Sequence, residues 1–312
     1  MENLQLAFWK AQRRKSGKKE VQRFRENLNE NLLAMAEELR SEEVSVGDYH
    51  YFTIHDPKER VICAASFRER VLHHAIINVC DDVFERYQIF DSFACRVGKG
   101  QTAALARSQH FARRNTWYLK MDVHKYFDSI DHSVLMGLLA RLFKDAPLLR
   151  LFEKIVDSYE TTLGRGISIG NLTSQYFANY YLGVLDHFIK ERLKVVGYVR
   201  YMDDMVCFSK SREELKAVES EIVSFASTCL NLEFNCSLRN RTAHGFPFLG
   251  FRVHPNKLRL LQKTKRRFLT KIRAASPQAT EALLAFVCQA ETHSWRKQIF
   301  YPKGAFPLVR TE

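Results

Sequence analysis

The run VRYMDDMVCF, residues 199–208, sets two adjacent acids inside a β-branched, aromatic and apolar stretch. Val199, Tyr201, Val206, Cys207 and Phe208 favour a strand and paired Asp residues do not, so the segment predicts a hairpin with Asp203 and Asp204 at its tip. Buried charge has to be paired or to coordinate a metal. A tip with two carboxylates offers oxygen ligands to a divalent cation. Taken alone, the string also fits an ordinary acidic turn.

A second acidic segment narrows the choice. In LKMDVHKYFDSIDHSVL, residues 119–135, a strand-like apolar lead ends at Asp122 and a helical pattern follows. Asp128 and Asp131 are expected to cap that helix. Asp122 and Asp203 lie 81 positions apart, which is no obstacle if both strands share one sheet. Carboxylates gathered from two strands suit Mg²⁺, which keeps waters and substrate phosphates in its shell, and so suit phosphoryl transfer.

Six blocks now follow one another in a familiar order: HDPKERVICAASFRERVLHHAI (55–76), FACRVGKGQTAA (93–104), KMDVHKYFDSIDH (120–132), RGISIGNLTSQYFANYYLGVLDHFI (165–189), RYMDD (200–204) and FPFLGFRV (246–253). Together they resemble reverse transcriptases of the bacterial and phage branch, which includes group II intron, retron and diversity-generating retroelement enzymes. Group II relatives usually carry Gln-Gly followed by Ser-Pro in the fourth block. Ile169, Gly170, Ser174 and Gln175 instead give the G-x-x-x-S-Q form, which looks like the diversity-generating retroelement enzymes. The resemblance implies an α+β right-hand polymerase with fingers, a palm built on an antiparallel sheet, a small helical thumb and an N-terminal helical extension. The expected boundaries are 1–44 for the basic extension, 45–115 and 132–165 for fingers, 116–131 and 166–252 for palm, and 253–312 for thumb.

Residue roles follow from the same resemblance. Asp122, Asp203 and Asp204 are the expected ligands of two Mg²⁺ ions, with Mn²⁺ as the alternative ion and the Val123 carbonyl as a further ligand. Phe127, five residues after Asp122, stands where the family places an aromatic gate against the ribose 2′ hydroxyl. Arg60 and Arg70, helped by Lys58 and Arg68, match the region that grips the incoming triphosphate. Gly170 would let the backbone approach the nucleotide, with Gln175 and Ser174 supporting that wall. Ile169 replaces a Gln that contacts the nucleotide in many relatives and cannot donate a hydrogen bond, so the resemblance implies error-prone copying, especially opposite template adenine. Leu238 stands where group II relatives carry a Lys near the leaving phosphate, which leaves the general acid unassigned.

Composition bears on partners. The chain has 48 Lys plus Arg against 35 Asp plus Glu, a net charge of +13, which favours a polyanion and salt-sensitive binding. Lys10, Arg13, Arg14, Lys15, Lys18, Lys19, Arg23 and Arg25 are opposed only by Glu20, and residues 257–273 hold eight basic residues and no acid. Lys263, Lys265, Arg266 and Arg267 in that second run are the expected duplex contacts. Template RNA, an RNA/DNA duplex and deoxynucleoside triphosphates are the expected partners, and the resemblance adds a small helical accessory protein. No apolar run reaches membrane length, and the N-terminus lacks the order of a secretory signal. A cytoplasmic protein with seven reduced cysteines and no C-x-x-C pair is expected. GRGISIG lacks the spacing of a dinucleotide fingerprint, and about sixty residues after the last block leave room for a thumb but not for a further nuclease domain. A retron-like or antiphage defence enzyme and a non-catalytic RNA-binding scaffold are the competing readings.

Overall fold

The computed structural model describes residues 1–55, 59–273 and 275–300. Three helices open the chain: α1 (Glu2–Ala11), α2 (Lys19–Glu26) and α3 (Leu28–Ser41). An apolar stripe at helical spacing runs along α3, with Leu32 and Met35 buried and Leu28, Ala36 and Leu39 packed beside them. These helices are not a free extension. Phe8 of α1 and Phe24 of α2 stack at 5.9 Å, and both meet Phe67 edge-on at 6.0 and 5.3 Å. Phe67 opens α4 (Phe67–Tyr87), so the N-terminal helices share one core with it. The hairpin β1 (Tyr49–Ile54) and β2 (Arg60–Ala65) leads into α4.

A four-stranded antiparallel sheet in the order β4-β5-β3-β6 forms the centre. After α5 (Gln101–Arg114) it takes β3 (Trp117–Asp122), followed by the short α6 (Tyr126–Ser129), α7 (His132–Leu142) and α8 (Ala146–Asp157). Asp131 caps α7 by accepting from the Val134 amide at 3.0 Å. Asp128 makes no such bond: it sits inside α6, where burial raises its pKa, so only one of the two expected caps is a cap. The long α9 (Leu172–His187) then crosses to β4 (Gly197–Tyr201) and β5 (Asp204–Ser209), and α10 (Arg212–Leu230) precedes β6 (Leu238–Arg241).

Period-two alternation gives the sheet two distinct faces. Leu119, Met121, Tyr198, Met205 and Cys207 point to the core shared with α9 and α10. Tyr118, Val199, Val206 and Phe208 point the other way, against Phe246 and Phe248. The latter belong to a second sheet of β7 (Phe246–Phe248), β8 (Phe251–Val253) and β9 (Leu258–Leu260), which leads to α11 (Gln262–Ile272), α12 (Pro277–Val287) and α13 (His293–Phe300). Here the structure departs from the expected helical region starting at 253. The apolar-Arg-apolar triplets FRV and LRL bury Phe251, Val253 and Leu260 while leaving each Arg outside, so they pair as strands and β8 runs across the boundary. Residues 301–312 of the expected thumb lie outside the described residues.

Candidate active site

The turn between β4 and β5 has two residues, Met202 and Asp203, because Tyr201 pairs directly with Asp204. Asp203 is therefore in the turn, and Asp204 is the first residue of a strand rather than part of the tip. Met202 has φ 55°, a left-handed conformation that costs a non-glycine residue free energy. The conformation is held from below. The wholly buried Arg200 donates from Nη1 to the Met202 carbonyl at 3.1 Å, and its Nε and Nη2 bind the equally buried Asp186 carboxylate at 2.6–2.9 Å. Tyr198 donates to Asp186 at 2.7 Å, and Asn179 accepts from Arg200 at 3.1 and 3.2 Å. Every strong donor and acceptor of this pair is engaged, as a buried ion pair requires.

On the opposite face, Asp122 of β3 stands directly across from Asp204 of β5. Lys120, two residues before Asp122, shares their face and places Nζ 2.9 Å from Asp204 Oδ1. That close ion pair draws the Asp204 pKa down, and Oδ1 is otherwise buried without a partner. Asp122 Oδ2 accepts from the Asn235 side chain at 2.9 Å, and Asn235 Oδ1 lies 2.9 Å from His124 Nδ1. Burial raises the pKa of Asp203, and the charge of Asp122 adds to the rise, against the opposing pull of Arg60 and Lys120. Asp204 is pushed up to about 7 by burial, with Lys120 pulling it down and Asp122 and Asp203 raising it further. Three carboxylates share one small region with one ammonium close by, an arrangement that favours added positive charge.

The donor set suits a hard divalent cation: carboxylate oxygens, one of them buried without a hydrogen bond, and a local excess of negative charge. Among the described residues, however, no three acidic, His or Cys side chains converge on one point. Asp122 is turned to Asn235 and Asp204 to Lys120. The residues fit in kind, and ligation would call for the carboxylates to exchange these partners.

The other predicted residues divide into two groups. The Gly166 amide donates to Ile130, the Ile167 amide to Phe127, and the Cys63 amide of β2 to the Ile169 carbonyl, at 2.8–2.9 Å. The loop carrying Ile169 is thus laced between Phe127 and β2, and Arg60 at the start of β2 lies close enough to Asp203 to act on its charge. Phe127 and Ile169 are each half-buried. Gly170 has φ 127°, and a Cβ there would meet Ile62 Cγ2 at 3.0 Å and the Cys63 carbonyl at 3.1 Å. Its missing side chain therefore lets the loop lie on β2. Ser174 bonds Ser168 at 2.9 Å, and Gln175 accepts from the Cys95 thiol at 3.4 Å.

Arg70 stands apart from this group. Its Nε donates to the Ala65 carbonyl at 2.8 Å and its Nη2 to Glu20 at 3.0 Å, so it braces α2 against the start of α4. Arg68 is likewise paired with Glu38 of α3, and Lys58 lies outside the described residues. Lys263, Lys265, Arg266 and Arg267 fall on α11, where Lys265 covers the Trp295 ring at 5.5 Å. The Val123 carbonyl belongs to a buried residue bridged to Phe234. Leu238 is exposed opposite Lys120.

Sequence reasoning did not reach Lys120, Asn235 or the Arg200–Asp186 pair. Lys120 was within reach, since period two puts it on the face of Asp122. Asp186, a lone acid in the apolar run YYLGVLDHF, carried a weaker signal. Asn235 carried none, because its place depends on how the segment before β6 lies beside β3.

A model of the reverse transcriptase (RNA-dependent DNA polymerase) family matches residues 55–269. Protein YkfC of Escherichia coli K12 is 22% identical over 242 residues, 63% of this chain and 63% of that protein. The group II intron-encoded protein LtrA of Lactococcus lactis subsp. cremoris is 25% identical over 139 residues, covering 42% of this chain and 23% of LtrA. Among solved structures, apo telomerase from Candida tropicalis superposes with a TM-score of 0.53 at 11% identity, over 69% of this chain and 49% of that one. The same telomerase with a fragment of telomeric RNA gives 0.53 at 11% identity, over 82% and 55%. The chain thus spans less than two thirds of each of these relatives, and the telomerase likeness speaks to the fold alone. Asp122, Asp203, Asp204 and the sheet that aligns them all lie within the span of the family model, and this chain belongs to the reverse transcriptase family.

Proposed function

We propose that the chain is an RNA-directed DNA polymerase that copies a structured template RNA into cDNA, as the polymerase of a diversity-generating retroelement. The observation that carries the catalytic part is the register that sets Asp122 opposite Asp204, with Asp203 one residue away in a turn held by Arg200. In this reading the four-stranded sheet is the palm, the β1–β2 hairpin belongs to the fingers and α11–α13 to the thumb.

Asp122, Asp203 and Asp204 would hold the divalent ions. Bound there, a pair of Mg²⁺ ions supplies positive charge for in-line attack by the primer 3′ hydroxyl and for the departing pyrophosphate. Arg60 offers a guanidinium to the triphosphate. Phe127 leaves no space for a 2′ oxygen, which favours deoxynucleotides. Ile169 gives the base-pair pocket an apolar wall with no hydrogen bond to enforce pairing geometry, and this, with the G-x-x-x-S-Q pattern, supports the mutagenic reading. The basic α11 offers Lys263, Lys265, Arg266 and Arg267 to the duplex. An RNA partner and a small accessory protein belong to the same proposal.

Sequencing of cDNA made by the purified protein on a primed RNA with Mg²⁺ and deoxynucleotides, beside an Asp203→Asn control, tests it. Errors concentrated at template adenines, absent from the control, are expected. Faithful products would move the chain to the retron or defence class, and no product with its native RNA and neighbouring protein would leave an RNA-binding scaffold.

A further inference from the structure

The end of the central sheet remote from the acids is as one-signed as the acid end, in the opposite sense. Trp117, five residues from Asp122 along β3, pairs with Ser209 and Arg241 there, about 17 Å away at the usual strand rise. A cleft of about 710 Å³ opens at this rim between the last turns of α5, the turn before β4 and the start of α10. Arg107, His110, Arg114, Lys194 and Lys210 line it, against the single acid Glu214, which already accepts from the Ser209 hydroxyl. Arg107 is paired with Asp91 at 2.7 Å. Among the described residues Arg114 reaches only the His110 ring, at 2.9 Å, and its main-chain carbonyl, and Lys194 and Lys210 join no ion pair.

The row continues past the cleft. Arg212 and Arg241 both lie over the Trp117 indole, at 5.6 and 5.4 Å, and among the described residues neither joins an ion pair, although the charge of Arg212 acts on its neighbour Glu213. Burial lowers the His110 pKa, and the charges of Arg114, Arg107 and Arg113 lower it further, as a concentration of positive potential would. Like charges gathered with too few counter-charges raise the free energy of the fold, and a bound polyanion offsets that cost. Protein interfaces centre on apolar anchors, yet Val196 is the one large apolar side chain in the cleft lining that is strongly exposed. Four strands at their usual spacing make the row about 14 Å long, enough for several successive phosphates rather than one.

We propose that this rim is a second RNA-contact surface, which grips the phosphate backbone of a folded RNA outside the polymerase cleft. It deepens the polymerase reading by naming a second contact for the template RNA, and it rests on that reading only for the identity of that RNA. The contact is to backbone, so it discriminates by shape and charge rather than by base.

The test is fluorescence anisotropy of a labelled RNA hairpin against the full chain carrying Arg114→Glu, Lys194→Glu and Lys210→Glu, over a series of salt concentrations. A control with equal charge change, Arg40→Glu, Arg86→Glu and Lys144→Glu, is read beside it. The rim variant should bind at least about tenfold more weakly, with a log-log salt slope shallower by about two to three, while the control stays within about twofold of the parent. Equal weakening of both, or of neither, overturns the proposal, as does unchanged hairpin affinity with loss of a protein partner. If the reversals prevent folding, the same three positions changed to Gln are read instead, with the salt slope deciding. Binding needs no catalysis, so a parent chain that makes no cDNA would sink the polymerase reading and leave this measurement standing.

Discussion

Arg200 and Asp204 sit four residues apart on the two sides of one hairpin, and the sheet treats their charges in opposite ways. Beneath the hairpin, Arg200 and Asp186 satisfy each other and are closed in by Tyr198, Asn179 and a backbone carbonyl. Above it, Asp204, Asp203 and Asp122 crowd together with Lys120 and Asn235 as incomplete partners. A saturated buried pair fixes geometry and has no capacity left for a ligand. An unsaturated cluster stores unfavourable electrostatic energy that a ligand would relieve, so the first serves as scaffold and the second is the candidate site.

The largest expected effect separates the two by chemistry. Asp203→Asn should lower primer extension by at least about a thousandfold, with RNA affinity within about twofold of the parent. A loss of only a few fold would show that the acid cluster is not the reacting centre. The next effect separates them by stability. Arg200→Met leaves Asp186 buried without its partner and should cost about 3–5 kcal/mol in chemical denaturation. Adding Asp186→Leu should recover much of that stability while turnover stays low, because Met202 has lost the donor to its carbonyl. Recovered turnover in the double variant would break the claim that the pair positions the turn.

Asp204→Asn should act in the reverse direction from Arg200→Met and raise the melting temperature of the metal-free protein at alkaline pH, since it removes a buried like charge. The same reasoning fixes a pH dependence. The pKa of Asp204 in the folded chain, about 7, is above the ordinary carboxylate value, so the native state binds its proton more tightly than the unfolded state. Its stabilising contribution is complete below about pH 4 and is lost as pH rises toward about 7. Melting curves in chelator should show this decline, Mg²⁺ should oppose it most above neutrality, and Asp204→Asn should flatten it. A smaller effect bears on selectivity. Phe127→Ala should increase ribonucleotide use relative to deoxynucleotides by roughly tenfold to a hundredfold. Unchanged selectivity would return Phe127 to the core.

Much of this site was legible from the chain itself, and the reasons are local. Asp122 at the end of an apolar strand and Asp203 beside Asp204 announce themselves because charge inside a β-branched run is costly. The N-terminal stripe of Leu32 and Met35, and the cap at Asp131, follow from helical periodicity and from a side chain three residues ahead of its amide. What escaped was non-local. Arg70 reads as a phosphate ligand until Glu20, fifty residues away, claims it. The close approach of Gly170 to Ile62 and Cys63 of β2 joins segments about a hundred residues apart. The triplets around β8 and β9 are too short to outweigh the basic helical run that follows them.

The sequence by itself determined the family, through six motif blocks in one order, and the strands that carry the acids, with Lys120 and Asp122 on one face of β3 because strand spacing of two is local to the backbone. Only the tertiary structure decided which charges are answered. The pairing of Arg200 with Asp186, of Asn235 with Asp122, and the gathering of Arg114, Lys194 and Lys210 at one rim depend on contacts between segments far apart in the chain. Electrostatic energy depends on distance in space and on burial, and neither quantity is written in the order of residues.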